Sequence, residues 1–161
     1  MPMPGRNPFH ANKHGVALVP QSVNNATADG ATILEPWKFG RWITFIFIGG
    51  AWAATVDGQL EVHGLARSDG TTWGPIVGAD GSTTLAFDPT LLDDAGEGEN
   101  GSFIGSLDLS AIDGNTYKAI RLEYAEGGSA AALVGAAYYI SDLYTHPGGD
   151  DEYLYQQQRY E

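Results

Sequence analysis

Residues Arg41–Trp73 read RWITFIFIGGAWAATVDGQLEVHGLARSDGTTW, and the fold class turns on how this stretch is parsed. Its first part, Arg41–Ile48, is a nearly unbroken run of β-branched and aromatic residues closed by Gly49-Gly50. That composition favours a strand over a helix, and the lack of polar alternation predicts a strand buried on both faces. From Gln59 to Arg67 the pattern alternates. Leu60, Val62, Gly64 and Ala66 share one face; Glu61, His63, Leu65 and Arg67 share the other, where Leu65 is a lapse. This is the period-2 signature of a half-buried strand. Ser68-Asp69-Gly70-Thr71 then makes a tight turn, because Asp bonds its own backbone and Gly accepts positive φ. Trp73 anchors the returning strand. Two strands and their turn thus form the centre of an all-β sandwich.

The flanking sequence extends this pattern. Val16–Val19 is a short strand that Pro20 confines to an edge or a strand end. Gln21–Gly30 is a polar loop, and Ala31–Leu34 begins a second short strand closed by Pro36. After Trp73 a second Asp-Gly turn, Asp80-Gly81, leads into a strand at Ser82–Phe87. Asp88–Gly96 fits a single helical turn, with Asp as N-cap, Pro at the first position and Gly as stop. Glu97–Gly101 is an acidic loop. Ser102–Leu109 alternates again, with Phe103, Gly105, Leu107 and Leu109 against Ile104, Ser106 and Asp108. Asp113-Gly114-Asn115 turns the chain, and Tyr117–Ala125 returns with Ile120, Leu122 and Tyr124 inward. Gly127-Gly128 leads into Ala130–Ile140, where Gly135 and the bounding glycines favour strand despite the alanines. About eight strands result, spaced as in a jelly-roll-like or Greek-key sandwich. The expected core is Ile43, Phe45, Phe47, Leu60, Val62, Leu107, Ile120 and Leu122.

The chain divides into an extended N-terminal arm (1–15), a β-sandwich domain (16–141) and a C-terminal tail (142–161). The arm holds Pro2, Pro4 and Pro8 with Arg6, His10, Lys13 and His14, and little that could enter a core. Such a segment is either a disordered terminus or an arm that orders on a neighbouring subunit, with Phe9 as its anchor. The tail carries Tyr144, Tyr153, Tyr155 and Tyr160 beside a break at Pro147-Gly148-Gly149. Tyr outside a core suits an interface, since it joins an apolar face to a polar tip; the other reading is a tail folded back over its own sandwich. The partner-binding candidates are therefore Phe9, His10, Lys13, Tyr144, Tyr153, Tyr155 and Tyr160.

Composition narrows the function. The chain has 161 residues, a single domain's worth, able to bury ~70% of its unfolded surface. It has no Cys, which excludes disulfides, thiolate chemistry and Cys-ligated zinc. A net charge of −12, with only eight Lys and Arg, argues against a nucleic-acid surface. No apolar run approaches the ~20 residues of a membrane helix. The N-terminal stretch lacks the apolar core of a signal peptide, so synthesis in the cytoplasm is expected. Twenty-two Gly beside eight Pro, spread between short apolar runs, match a many-turned β protein.

Motifs for catalysis are missing. His10 and His14 have the i, i+4 spacing of a shared metal on a helix, but Pro8 and Gly15 disfavour a helix there. His63 shares its strand face with Glu61 and Arg67 and reads as a solvated ladder. The acidic run Asp93–Gly101 fails the EF-hand register, and Asp150-Asp151-Glu152 has no defined ligand spacing. No nucleophile elbow, phosphate loop or dinucleotide fingerprint occurs. No enzyme activity, cofactor or metal is expected.

Two segments carry a family resemblance. ATVDGQLEVHGLARSDGTTWGPI, and later LDLSAIDGNTYKAIRLEYAEG with Tyr117 and Arg121 on the return, resemble paired strands of small β-sandwich proteins in tailed-phage virions. Together they cover residues 51–76 and 107–128. The resemblance implies a decoration (cement) protein that binds the major capsid protein on the virion exterior, self-associates, and performs no catalysis. A related tail accessory protein is the nearest alternative. The same turn chemistry occurs in carbohydrate-binding sandwiches, for which Trp37, Trp42, Trp52 and Trp73 would have to offer two exposed, coplanar rings. A small hydrolase is the third reading.

Overall fold

The structure, a computed structural model, describes residues 13–52, 56–76 and 102–143. Among these lie nine strands: β1 (Lys13–Val23), β2 (Thr27–Asp29), β3 (Ile33–Leu34), β4 (Gly40–Trp52), β5 (Gly58–Ala66), β6 (Trp73–Pro75), β7 (Ser102–Asp108), β8 (Tyr117–Glu126) and β9 (Ala132–Leu143). Short 3-10 turns occupy Pro36–Lys38 and Leu109–Ala111. The expected strand at Ser82–Phe87, the helical turn at 88–96 and the acidic loop fall outside the described residues.

Sheet A has the order β1-β9-β4-β7, and sheet B the order β2-β8-β5-β6 with β3 also on β8. All the pairings are antiparallel. Since β2 and β3 both pair with β8, they act as one interrupted strand, which leaves eight. First then pairs with last (β1–β9), second with seventh (β2/β3–β8), third with sixth (β4–β7) and fourth with fifth (β5–β6). This nesting is one long hairpin wrapped around a barrel axis: a jelly roll. The expected fold class stands.

The two sheets share one core. Ile43, Phe45 and Phe47 of β4 face Leu60 and Val62 of β5 and Ile120, Leu122 and Tyr124 of β8, all buried. The Phe47 ring meets Trp52 edge-on at 6.4 Å and Tyr124 at 5.9 Å. Leu107, expected inside, is only half-buried because β7 is the edge strand of its sheet. Between β2 and β3, both on β8 of sheet B, the chain is pinched between the two sheets. Gly30 N–H donates to Leu122 O of sheet B at 2.8 Å, and Ala31 N–H to Ala17 O of sheet A at 2.8 Å. A Cβ on Gly30 would lie 2.3 Å from Leu122 O and 2.4 Å from Ala17 O, so only glycine passes here.

Several boundaries move. The first strand starts at Lys13 instead of Val16 and continues through Pro20 to Val23, with register shifts at Val16/Leu18 and Leu18/Gln21 that accommodate the proline on an edge. Lys13–Gly15, placed in the arm by sequence, therefore belong to sheet A. At the other end β9 runs through Leu143, two residues into the expected tail. The polar stretch Gln21–Gly30 contributes strand residues at both its ends, Gln21–Val23 and Thr27–Asp29.

Candidate interaction surface

The two sheets present unlike outer faces. On sheet A the inward residues of β4 leave Trp42, Thr44, Ile46 and Ile48 pointing outward. Register aligns Val16, Ala137, Ile46 and Ile104 in one row across all four strands. Val16 is 51% exposed, Ile48 55% and Ile104 66%, with Trp42 and Leu133 also exposed on this face. Thr44 is the polar exception, its hydroxyl bonded to that of Ser106 at 2.8 Å and buried among the larger side chains. Gly135 lies against Pro20, where a Cβ would come within 3.2 Å of the ring. The run Arg41–Ile48 is thus buried on one face only. Its unbroken hydrophobicity, read from sequence as burial on both sides, instead builds an exposed apolar sheet face.

Sheet B turns charge outward. Asp29, Glu123 and Glu61 lie side by side across β2, β8 and β5, and Arg121 is opposite His63 in the next row. His63 Nε2 is 3.1 Å from Glu61 Oε2, and its Nδ1 is 3.0 Å from Glu123 Oε2. Arg121 reaches Asp29 at 2.8 Å and Glu123 at 2.7 Å, and its guanidinium stacks 4.6 Å over the Trp73 ring. The like charges of the three carboxylates are bridged by Arg121, which bonds Asp29 and Glu123, while the His63 ring lies between Glu61 and Glu123. His63, only 9% exposed, is therefore part of a hydrogen-bonded network at the sheet surface and not of a solvated ladder. Its bonded partner on β8 is Glu123, with Arg121 its register neighbour; Arg67, expected beside it, instead bonds Glu35 at 2.8 Å and the carbonyls of Gly114 and Tyr117. Periodicity within one strand cannot reveal a partner on the next, so Glu123 and Arg121 were missed.

The turns keep their expected chemistry. Asp69 Oδ1 accepts from Thr71 N–H at 2.9 Å and Thr72 N–H at 3.0 Å, Oδ2 from the Thr72 hydroxyl, and Gly70 sits at φ +70°. These donors, the Thr72 hydroxyl foremost, pull the Asp69 carboxyl down to about 2. Asp113 is held below its ordinary value in the same way, by the Thr116 hydroxyl and the Asn115 N–H.

Of the candidate contact residues, only Lys13 is described. It opens β1 opposite Ile140, and its ammonium lies 3.2 Å from the centre of the Phe39 ring. Partial burial lowers its pKa. Phe9, His10, Tyr144, Tyr153, Tyr155 and Tyr160 lie outside the described residues. The four tryptophans do not form a platform. Trp52 is buried, with its indole N–H on Leu133 O at 3.1 Å; Trp37 packs against the core; Trp73 lies under Arg121 on sheet B; Trp42 is exposed on sheet A. Among the described residues no three His, Asp or Glu side chains converge as a metal-ligand set.

These observations define an all-β jelly-roll protein with one apolar and one charged outer face. No family model matches the chain, and no curated protein sequence does. Among solved structures it is similar to a chain in the structure of infectious bursal disease virus Gx strain, at 13% identity and TM-score 0.44, covering 86% of this chain and 32% of that one. A chain of the Gt strain structure gives 14% identity and TM-score 0.42, with coverage of 92% and 38%. This chain thus spans about a third of the length of those it matches.

Proposed function

We propose that the protein is a non-catalytic structural virion component, a decoration protein that binds the exterior of a capsid lattice and cements it. The observation that carries this reading is the apolar row Val16, Ile46, Ile104 with Ile48 and Leu133 on the outer face of sheet A. An exposed apolar sheet face of this kind marks a protein contact. Its placement supports the choice of partner. Lys13 at the start of β1 pairs with Ile140 near the end of β9, and Leu143 with Gly40, so the described chain begins and ends at the same end of this sheet. The arm, with Phe9 and His10, and the tail, with Tyr144, Tyr153, Tyr155 and Tyr160, extend the contact to neighbouring capsid subunits. Lys13 sits where the arm joins the sheet.

In this arrangement the charged face of sheet B is turned away from the shell, and the acidic chain stays off nucleic acid. Attachment through several segments raises effective affinity without a large globular interface. Anything that binds only the assembled shell stabilises it by mass action. The carbohydrate-binding alternative has lost its platform, since the four rings are scattered over core and both faces. A tail accessory role uses the same surfaces on a different lattice.

The test is binding to particles stripped of the protein. Wild type should saturate them, and Ile48→Lys with Ile104→Lys should fold normally yet fail to bind. Normal binding by that double variant would reject sheet A as the docking face.

A further inference from the structure

At one end of the sandwich, a cleft of about 280 Å³ is lined by Asn25, Ala26, Thr27, Asp57, Gln59 and Glu126 with their neighbours. It lies where the β1–β2 connection, the approach to β5 and the β8–β9 turn meet. Gly127 N–H donates to Asp57 O at 2.9 Å, and Glu126 N–H to Ala26 O at 2.8 Å, which fixes the three segments together. The lining residues include two carboxylates and no Lys, Arg or His.

Glu126 is only 3% exposed. Its Oε1 accepts from Gly128 N–H at 2.6 Å and Asp57 N–H at 3.3 Å. Its Oε2 is buried with no hydrogen-bond partner, and so is the hydroxyl of Tyr124 on the same inward face of β8. Burial, and then the charges of Glu126 and Asp57, push the Tyr124 phenol up. A buried carboxylate oxygen without a donor or a cation is costly, and such a group calls for an ion or an ordered water.

We propose that this cleft binds a divalent cation of the calcium class, with Glu126 Oε2 and the Asp57 carboxylate as its charged ligands. The available donors are all oxygen: two carboxylates, the Asn25 amide oxygen and loop carbonyls. Hard oxygen donors select calcium or magnesium over zinc or copper. Their irregular supply from three separate segments suits the flexible, six-to-eight-fold shell of calcium better than the strict octahedron of magnesium. The bound ion ties the β1–β2 connection to the β8–β9 turn, and so the edge of sheet A to sheet B.

The experiment is thermal unfolding of the full chain, stripped with chelator and then titrated with calcium chloride alone at constant ionic strength. The midpoint should rise by several degrees and keep rising with the logarithm of calcium above saturation. Asp57→Asn, at an exposed position, should fold as wild type does and lose most of that shift, which also excludes binding at the acidic stretches 93–101 and 150–152. Magnesium should shift the midpoint less. An unchanged wild-type midpoint, an equal shift in Asp57→Asn, or an equal response to magnesium would each overturn the proposal. So would a Glu126→Gln variant that keeps the full calcium shift, because the buried carboxylate oxygen is then not a ligand.

Discussion

Asp69 shows how much one residue can specify. Its carboxylate collects two backbone N–H groups and a hydroxyl, which closes the β5–β6 turn and holds its pKa at about 2. The unfolded value is about 3.9. A folded pKa below the unfolded one means stabilisation that is complete above the unfolded value and lost as pH falls through the folded one. Asp69→Asn should therefore lower the melting temperature at pH 7, and the gap to wild type should close between about pH 4 and pH 2, as read by circular dichroism melts. The core gives the second residue-scale expectation. Phe45 is fully buried between the sheets, so Phe45→Ala should cost about 3–5 kcal/mol in denaturant unfolding, through lost transfer energy and the cavity left behind. Both residues were legible in the sequence, because a turn aspartate and a large aromatic in an apolar strand depend on their nearest neighbours. The Arg121–Glu123–His63 network was not, since it depends on which strand lies next to which.

At the scale of elements, pattern located the strands better than their ends. β5, β7 and β8 sit close to where alternation put them, and the turns at Gly70, Gly114 and Gly127-Gly128 hold, whereas Gly49-Gly50, expected to close its strand, lies inside β4, which runs on to Trp52. β1 and β9 overrun their expected limits because pairing with each other stabilises residues that carry no hydrophobic signal, such as Lys13 against Ile140. β4 was identified as a strand but misjudged in burial: an unbroken apolar run looks the same whether its second face meets a second layer or an interface. The pinch at Gly30, between Leu122 O and Ala17 O, is the element-scale feature most sensitive to change. Gly30→Ala would force a methyl into two backbone carbonyls on opposite sheets, and stability should fall by more than the ~1 kcal/mol that an average substitution costs. A chemical-denaturation midpoint equal to wild type would show that the sheets can part there without penalty.

For the whole molecule, the nested pairing from β1–β9 to β5–β6 makes the jelly roll, and the contrast between its outer faces gives it an orientation. The class of sandwich could be read from strand spacing, but the nesting could not, since alternation assigns a strand its faces and not its neighbours. Removing residues 1–12, which leaves β1 intact from Lys13, should yield a folded sandwich that occupies particles weakly. Cutting to residue 15 would also remove the first β1–β9 pairs and confuse folding with docking. The direct measurement of the central claim is a cryo-electron microscopy map of purified virions with the copy number of this protein per particle. The account predicts many copies in lattice register on the outside of the shell, with sheet A against the capsid and the charged face of sheet B toward solvent. Absence from the particle, a few copies only, or sheet B against the shell would contradict it.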